Sequence, residues 1–281
     1  MRAYFPALNA LGLIIAIFGL LMGVPLLVSL ALNDGANNAY HQSLLLTVVL
    51  GGSLWLFTRG QRRDLQVRDG FFLVAATWVI LPLFGALPLL HFLPGLSFTD
   101  AYFEAASGLT ATGATVLSGL DLLPTSINLW RTFMHWIGGM GVLVLVVAVL
   151  PLLGIGGRQL YKVEAPTPMK DASLTPRVTE TAKGLWLSYF LLTAACAAAL
   201  WGAGMPGWDA VIHSLSIAAL GGFSSKDASL GYFDNPGIEL VTILFALLAG
   251  LNFATHYLAL MRRSFRPYRR DPELPFYFVV L

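Results

Sequence analysis

The sequence predicts an all-α polytopic membrane protein, built from parallel repeats of span, re-entrant loop and span that follow an accessory two-helix hairpin. Three observations carry that class. The 281 residues are 57% hydrophobic and only 11% charged, far more apolar surface than a soluble core of this length needs. The apolar residues gather into six uncharged runs, and the basic residues concentrate in every second connection between them. Asp100-Ala101 and Asp209-Ala210 each open a short stretch in which a Ser follows the Asp by seven positions (Ser107, Ser216) and a Gly by thirteen (Gly113, Gly222). No gap is needed to align them, which makes them an internal repeat.

Pro6 to Leu32 is the first run. Its 27 uncharged residues exceed the roughly 20 that cross a bilayer and the 7 to 15 of a signal-peptide core. With the second run, His41 to Thr58, it forms the accessory hairpin (1–68), joined by the short loop Asn33 to Asn38 and packing against lipid and the core. The third run, Gly70 to Leu90, opens the first repeat (69–157); Pro82 and Pro88 should kink it or end it early. After the turn Leu93-Pro94-Gly95-Leu96 the sequence predicts a helix over 99–110, capped by Thr99 or Asp100, with Glu104 in a first turn favoured by the macrodipole. Twelve residues give about 18 Å, too short to cross. An apolar segment that cannot cross, between two that can, dips in and returns, and Ala105, Ala106, Ser107 and Gly108 let it pack closely.

Thr132 to Gly157 is the fourth run. Trp130 and Arg131 at its head read as an interfacial anchor, with Arg131 snorkelling or pairing with an acidic loop residue such as Asp121; the functional alternative is electrostatic support of the re-entrant loop from behind. Gly138, Gly139 and Gly141 allow close helix contact or act as a flexible point. Residues 158–183 form a long polar connection in which Pro166, Pro168 and Pro176 argue against one continuous helix; it is either a docking surface for a soluble partner or a passive connector. The second repeat (184–262) has the span Gly184 to Ala203, a re-entrant helix over 208–219, the loop 220–224 and the span Leu240 to Met261. His213 stands where the first copy has Glu104. Residues 263–281 read as a basic connection followed by the truncated start of a further span.

Arg59, Arg62, Arg63 and Arg68, then Arg158, Lys162, Lys170, Arg177 and Lys183, then Arg262, Arg263, Arg266, Arg269 and Arg270, together with Arg2, place fifteen of the seventeen basic residues on one face. That face is expected to be cytoplasmic, with the N-terminus on it. A net charge of +2 gives no reason to expect nucleic acid. Cys196 is alone in an apolar run and reads as a small buried residue. The five histidines lack any His-x-x-x-His spacing, and no nucleophile, acid or metal ligand is clustered, so neither a metal site nor an enzyme is expected.

The chemistry is expected in the two loops 111–115 and 220–224. Non-helical backbone at membrane depth is tolerated where it is buried in protein or lines a water-filled path. Ala111-Thr112-Gly113 and Leu220-Gly221-Gly222 let the chain extend with carbonyls free to replace the hydration shell of an alkali cation. The short helix before each loop ends with its partially negative C-terminus at mid-membrane, which favours a cation. Thr110 and Arg131 are candidate supports of the first loop. Lys226 and Asp227 are expected to form a local ion pair, and Asp121, Asp234 and Glu239 to give an acidic vestibule.

Leu109 to Val116 (LTATGATV), Trp136 to Gly141 (WIGGMG), Leu152 to Tyr161 (LLGIGGRQLY), Gly221 to Ser225 (GGFSS) and Arg270 to Glu273 (RDPE) resemble, in order and across essentially the whole chain, the TrkH-type membrane subunits of Trk potassium uptake systems in the Trk/Ktr/HKT superfamily. The resemblance implies a potassium-channel-like fold of four span–loop–span repeats after an accessory pair of spans. It also implies a homodimer in the bacterial inner membrane, gated by a cytoplasmic TrkA-type ring that holds the nucleotide, with no organic cofactor in this chain. The backbone oxygens of Ala111, Thr112, Gly113, Leu220, Gly221 and Gly222 would then bind potassium. Two of the four expected loops are present, so the chain reads as an N-terminal fragment. The competing reading is a secondary transporter or permease for another small solute, or a less selective monovalent cation pathway. Such repeats often run inverted, whereas Asp69-Gly70 and Lys183-Gly184 leave the same face.

Overall fold

The computed structural model describes residues 5–60, 67–152 and 174–281, and among them every regular element is helical. Most of the expected connection 158–183, with Arg2, Arg62, Arg63 and most of the 152–161 motif, lies outside the described residues. The chain divides into two compact units, Met1–Gly139 with Gly221–Tyr232, and Met140–Leu220 with Phe233–Leu281. Among the described residues, four runs are long and apolar enough to cross a bilayer: Phe5–Leu32, Asn37–Thr58, Arg68–Phe92 and Lys183–Gly202.

In the first unit, α1 (Phe5–Leu21), α2 (Gly23–Leu32) and α3 (Asn37–Thr58) make the hairpin. The expected span 6–32 is present as one crossing run, with a single non-helical residue, Met22, between α1 and α2. Pro25 has no N–H for the carbonyl four residues earlier, so the α1 ladder ends at Leu21. α1 and α3 pack through small residues: a Cβ on Gly12 would lie 2.9 Å from the Gly51 carbonyl, and one on Gly51 would lie 2.8 Å from the Gly12 carbonyl. Leu13, Ile17 and Leu20 on α1 and Leu45, Val49 and Phe57 on α3 remain exposed, an apolar face suited to lipid. The loop carboxylate of Asp34 accepts from the Ser29 hydroxyl (2.5 Å), the Ala36 N–H (3.2 Å) and the Ser126 N–H (3.0 Å). Tyr40 donates to the Ser126 carbonyl at 2.8 Å.

α4 (Val67–Gly85) and α5 (Leu87–Phe92) form the next span. The expected proline break lies at Ala86. Pro88 lacks an N–H for the Phe84 carbonyl, and the neighbouring Gly85 carbonyl accepts from the Trp130 indole at 2.9 Å. Trp130 is therefore fully buried, a core residue and not the interfacial anchor expected of it. α6 (Phe98–Leu109) is the short helix. Its cap is Ser97, not Thr99 or Asp100: the Ser97 hydroxyl accepts the Asp100 N–H at 3.1 Å and donates to the Asp100 carboxylate at 2.7 Å. The cap lies two residues before Thr99 and the helix begins at Phe98, which puts Glu104 in its second turn, where it is buried. α7 (Thr125–Leu152) begins ahead of the uncharged run because Arg131 lies inside the helix.

In the second unit, α8 (Leu174–Gly202) packs on α9 (Gly207–Ala218), α10 (Pro236–Ala249) and α11 (Phe253–Arg262). α8 starts at Leu174, within the expected connection; Pro176 falls in its first turn, where a missing N–H is harmless. The expected single span 240–261 is broken: α10 and α11 meet at 94°. Asn252 starts the new helix by accepting the Ala254 N–H at 2.9 Å. At the end of α10 the Leu247 carbonyl accepts from the Tyr277 hydroxyl (3.0 Å), and the Leu248 carbonyl accepts from His256 Nε2 (2.9 Å) as well as from Leu251 N–H (3.1 Å). α12 (Arg266–Arg270) and α13 (Glu273–Val280) close the chain.

Candidate functional site

Each short helix ends in the same way. After α6, Thr110 has φ −85° and ψ 1°, Ala111 turns left-handed at φ 52°, and Gly113 follows at φ 78°. After α9, Ala219 has φ −87° and ψ −5°, Leu220 turns left-handed at φ 54°, and Gly222 follows at φ 94°. In the first copy Thr112 N–H reaches back to the Ser107 carbonyl at 2.9 Å and Ala111 N–H to Gly108 at 3.1 Å, the Schellman closure of a helix. That closure normally takes glycine. Ala111 and Leu220 both take its left-handed residue at a cost of about 1–2 kcal/mol each, at equivalent positions, so the same backbone turn is specified in both copies against local preference.

In the first unit, Arg131 on α7 joins the loops. Its side chain and that of Glu104 on α6 are both 0% exposed, and Arg131 Nε donates to Glu104 Oε1 at 2.7 Å. Nη1 donates to Asn128 Oδ1 (3.1 Å) and to the Ser224 carbonyl (3.0 Å), and Nη2 to Thr115 Oγ1 (3.2 Å). The guanidinium carbon also lies 4.4 Å from the Phe223 ring centroid, a cation–π geometry. Glu104 receives the Thr115 hydroxyl (3.0 Å) and the Val116 N–H (3.1 Å). A charge taken out of water persists only when it is paired and hydrogen-bonded, and here both ions spend their bonding capacity on residues 115–116 and 224. The expected pairing of Arg131 with Asp121 is replaced by the one with Glu104. Snorkelling is ruled out by its burial.

Close backbone contact completes the arrangement. A Cβ on Gly113 would overlap the Gly221 carbonyl oxygen, and one on Gly138 would overlap the Leu109 carbonyl. Gly138 is thus a close-packing glycine, the first of the two readings of that motif. A Cβ on Gly221 would strike the His135 imidazole, which stacks on Phe223 with centroids 4.1 Å apart. Farther out, the Asp227 carboxylate accepts from Gly119 N–H (2.9 Å) and Leu120 N–H (3.1 Å). Lys226 Nζ lies 3.9 Å from Asp121 and 4.6 Å from the Tyr232 ring centroid. The expected Lys226–Asp227 pairing thus gives way to an exchange in which each residue holds the 119–121 segment.

Of the residues singled out in the sequence, Gly113 and Gly221 meet, Arg131 reaches both loops, and the Thr110 hydroxyl bonds Thr112 Oγ1 (2.7 Å) and the Ala106 carbonyl (2.8 Å). Ala111 supplies the left-handed turn and Gly222 the open positive-φ position. Leu220 supplies the turn of the second copy. The sequence places Thr115, Phe223 and Ser224 within the expected loops 111–115 and 220–224 without assigning their contacts, reads Glu104 only as a first-turn residue, and gives no role to Asn128 or His135. A usable signal existed for Glu104: a carboxylate in an apolar segment that enters the membrane needs a named partner, and Arg131 was the one basic residue placed on that side of the chain besides Lys226.

Comparison with known proteins gives a consistent result. The TrkH family, described as cation transport protein, matches residues 36–279. The Trk system potassium uptake protein TrkH of Salmonella typhimurium is 49% identical over 93% of this chain and 54% of its own length. The Trk system potassium uptake protein TrkG of Escherichia coli is 40% identical over 96% of this chain and 56% of its own. The crystal structure of the potassium transporter TrkH from Vibrio parahaemolyticus superposes with a TM-score of 0.87 at 41% identity, covering 99% of this chain and 57% of that one. The chain spans about half the length of the curated relatives it matches.

Proposed function

The chain belongs to the TrkH family of cation transport proteins, and from that premise we propose that it supplies two of the selectivity loops of a potassium uptake protein. Potassium is coordinated by backbone oxygens of Ala111, Thr112 and Gly113 and of Leu220, Gly221 and Gly222, which replace its hydration shell. The observation that carries this reading is the repeated left-handed backbone, Ala111 with Gly113 and Leu220 with Gly222. Carbonyl coordination depends on backbone path, and backbone path is what the two copies share.

Arg131 and Thr110 are positioning residues in this reading. Arg131 is too fully bonded to act on an ion directly; it holds residue 115 and residue 224 while Glu104 cancels its charge. A bare cation of that kind beside a potassium path would repel the ion, and the buried carboxylate removes the repulsion. Residues 1–68 act as the accessory hairpin, 69–157 and 184–262 as the pore repeats. The assembly is a homodimer in the bacterial inner membrane with the N-terminus cytoplasmic. A TrkA-type ring that holds the nucleotide gates it from the side of the 158–183 connection and residues 263–281.

The test is ion preference in the full-length protein reconstituted in vesicles. Gly113→Ser should reduce potassium-over-sodium preference by roughly tenfold or more, the equivalent of about 1.4 kcal/mol of lost discrimination. Gly222→Ala, which meets open space, keeps the test informative if the first variant does not fold. Unchanged ion preference and unchanged potassium-dependent growth in both variants would overturn the reading.

A further inference from the structure

Along α11 and its turn into α12, the second unit carries two open cavities that share Ser264 as a wall. One, of about 580 Å³, is lined by Leu191, Leu192, Leu248, Leu260, Phe265 and Tyr268 among others. The second, of about 390 Å³, is lined by Arg262, Ser264, Arg266, Pro267 and Arg270. The turn that places them together is built into the chain. Arg263 ends α11 in the left-handed conformation (φ 44°), and the Ser264 hydroxyl accepts the Arg266 N–H at 3.2 Å to start α12. Five arginines fall within nine residues, yet Phe265 in their midst is 80% exposed. The nearby carboxylate of Asp271 is held by the Thr255 hydroxyl (2.8 Å) and the Glu273 N–H (3.0 Å), so it does not line the arginine cavity.

An apolar cavity beside an arginine-lined one, with Ser264 common to both, matches a molecule with an acyl chain and a phosphate. Guanidinium groups suit phosphate through paired N–H donors, and basic pockets between helices on the cytoplasmic side favour anionic headgroups. We propose that the elbow formed by α10, α11 and the turn into α12 holds an anionic glycerophospholipid of the cytoplasmic leaflet, with its phosphate on Arg266 and Arg270 and one acyl chain in the apolar cavity. The bound lipid wedges the 94° bend. Its leaflet rests on the orientation given under Proposed function. A free phosphate would leave the apolar cavity unused, and a peptide segment would have to bring both an anion and an apolar side chain to the same turn.

The test uses the full-length protein, delipidated in detergent and analysed by native mass spectrometry with dioleoyl-phosphatidylglycerol, dioleoyl-phosphatidylcholine or inorganic phosphate. Phosphatidylglycerol should be retained and phosphatidylcholine lost. Arg266→Gln and Arg270→Gln should each lower phosphatidylglycerol affinity roughly fivefold, while Arg266→Lys should recover part of it. Leu260→Trp, which fills the apolar cavity, should weaken lipid retention without touching the arginines. Equal retention of both lipids, or retention unaltered by these variants, would mean only annular lipid and overturn the proposal. Full competition by inorganic phosphate would overturn it in favour of a simple anion site. No retained lipid, together with protection of a Leu260→Cys thiol from labelling, would overturn it in favour of a covering protein segment. Ion preference is scored on the same variants in vesicles. Lipid loss with potassium preference intact supports the elbow site on its own, and loss of preference in Gly113→Ser leaves the lipid result unaffected.

Discussion

The two repeats share a backbone and differ in what stands beside it. In the first, the short helix carries Glu104, which is ion-paired to Arg131 and bonded to Thr115 and Val116. In the second, the equivalent position is His213, whose Nδ1 lies 2.7 Å from the Asp209 carbonyl of its own helix and whose ring meets Phe233 edge-on. The lesson is that the two copies keep the same main-chain path and differ in the side chains that hold it. Arg131 also explains how such divergence is tolerated: by reaching the Ser224 carbonyl, one buried ion pair fixes residues from both loops, and a second pair is not required.

The largest test of that asymmetry is removal of one partner from the buried pair. Arg131→Gln should cost roughly 3–5 kcal/mol, because Glu104 is left charged and unpaired. His213→Gln should cost about 1 kcal/mol, the worth of a local hydrogen bond. Thermal unfolding of the full-length protein in detergent would compare them, and the double variant Glu104→Gln/Arg131→Met should recover much of the loss. Equal costs at Arg131 and His213 would mean that the pair does not anchor the loops.

Gly113 and Gly222 give the next contrast. Both have positive φ, so an alanine at either adds about 1–2 kcal/mol of backbone strain. Only Gly113→Ala also drives a Cβ into the Gly221 carbonyl, and it should therefore reduce stability and ion preference by much more than Gly222→Ala. Thr115→Val and Ser224→Ala sharpen the same point at smaller scale. Thr115 loses a hydroxyl that joins Arg131 to Glu104, at about 1–3 kcal/mol, whereas Ser224 contacts Arg131 through its carbonyl and should lose about 1 kcal/mol or less.

Much of this was legible in the sequence, and the failures share a cause. The Asp-Ala…Gly spacing located both loops to within one residue of their helices, because capping and apolar length are local properties. Charge was harder. The sequence leaves Arg131 open between an anchor and a support of the loop, because an arginine near the head of an apolar run usually reaches water and its partner Glu104 lies 27 residues earlier in the chain, on a different helix. The α10–α11 break was also missed, although Gly250-Leu251-Asn252 contains a helix stop and an N-cap residue; its uncharged flanks satisfied the length rule for a single span, and the partners that make the bend affordable, Tyr277 and His256, are placed only by tertiary packing.

The smallest predicted effect concerns how the helix after each loop begins. α10 is capped from within: Asn235 accepts the Gly237 N–H at 2.8 Å and donates to the Ala203 carbonyl at 2.9 Å. α7 instead receives Asp34 from the accessory hairpin, which accepts the Ser126 N–H in its first turn. Burial pushes the Asp34 carboxyl up, but the hydrogen bonds from Ser29, Ser126 and Ala36 outweigh it and hold the group below its ordinary value of 3.8. A carboxylate depressed on folding stabilises the folded state above its unfolded pKa, and that contribution disappears as pH falls through the lower folded value. The wild-type protein should therefore lose this part of its stability only below about pH 4, and screening by solvent at a half-exposed site keeps the part small. Asp34→Asn should lower the midpoint of thermal unfolding at neutral pH by the equivalent of about 1 kcal/mol and remove the acid dependence that the wild type shows there. Asn235→Ala should cost a similar amount with no acid dependence, since an amide does not titrate. If both variants keep the wild-type acid limb, the hairpin does not set the start of α7 through charge, and the two repeats begin their second spans in the same way.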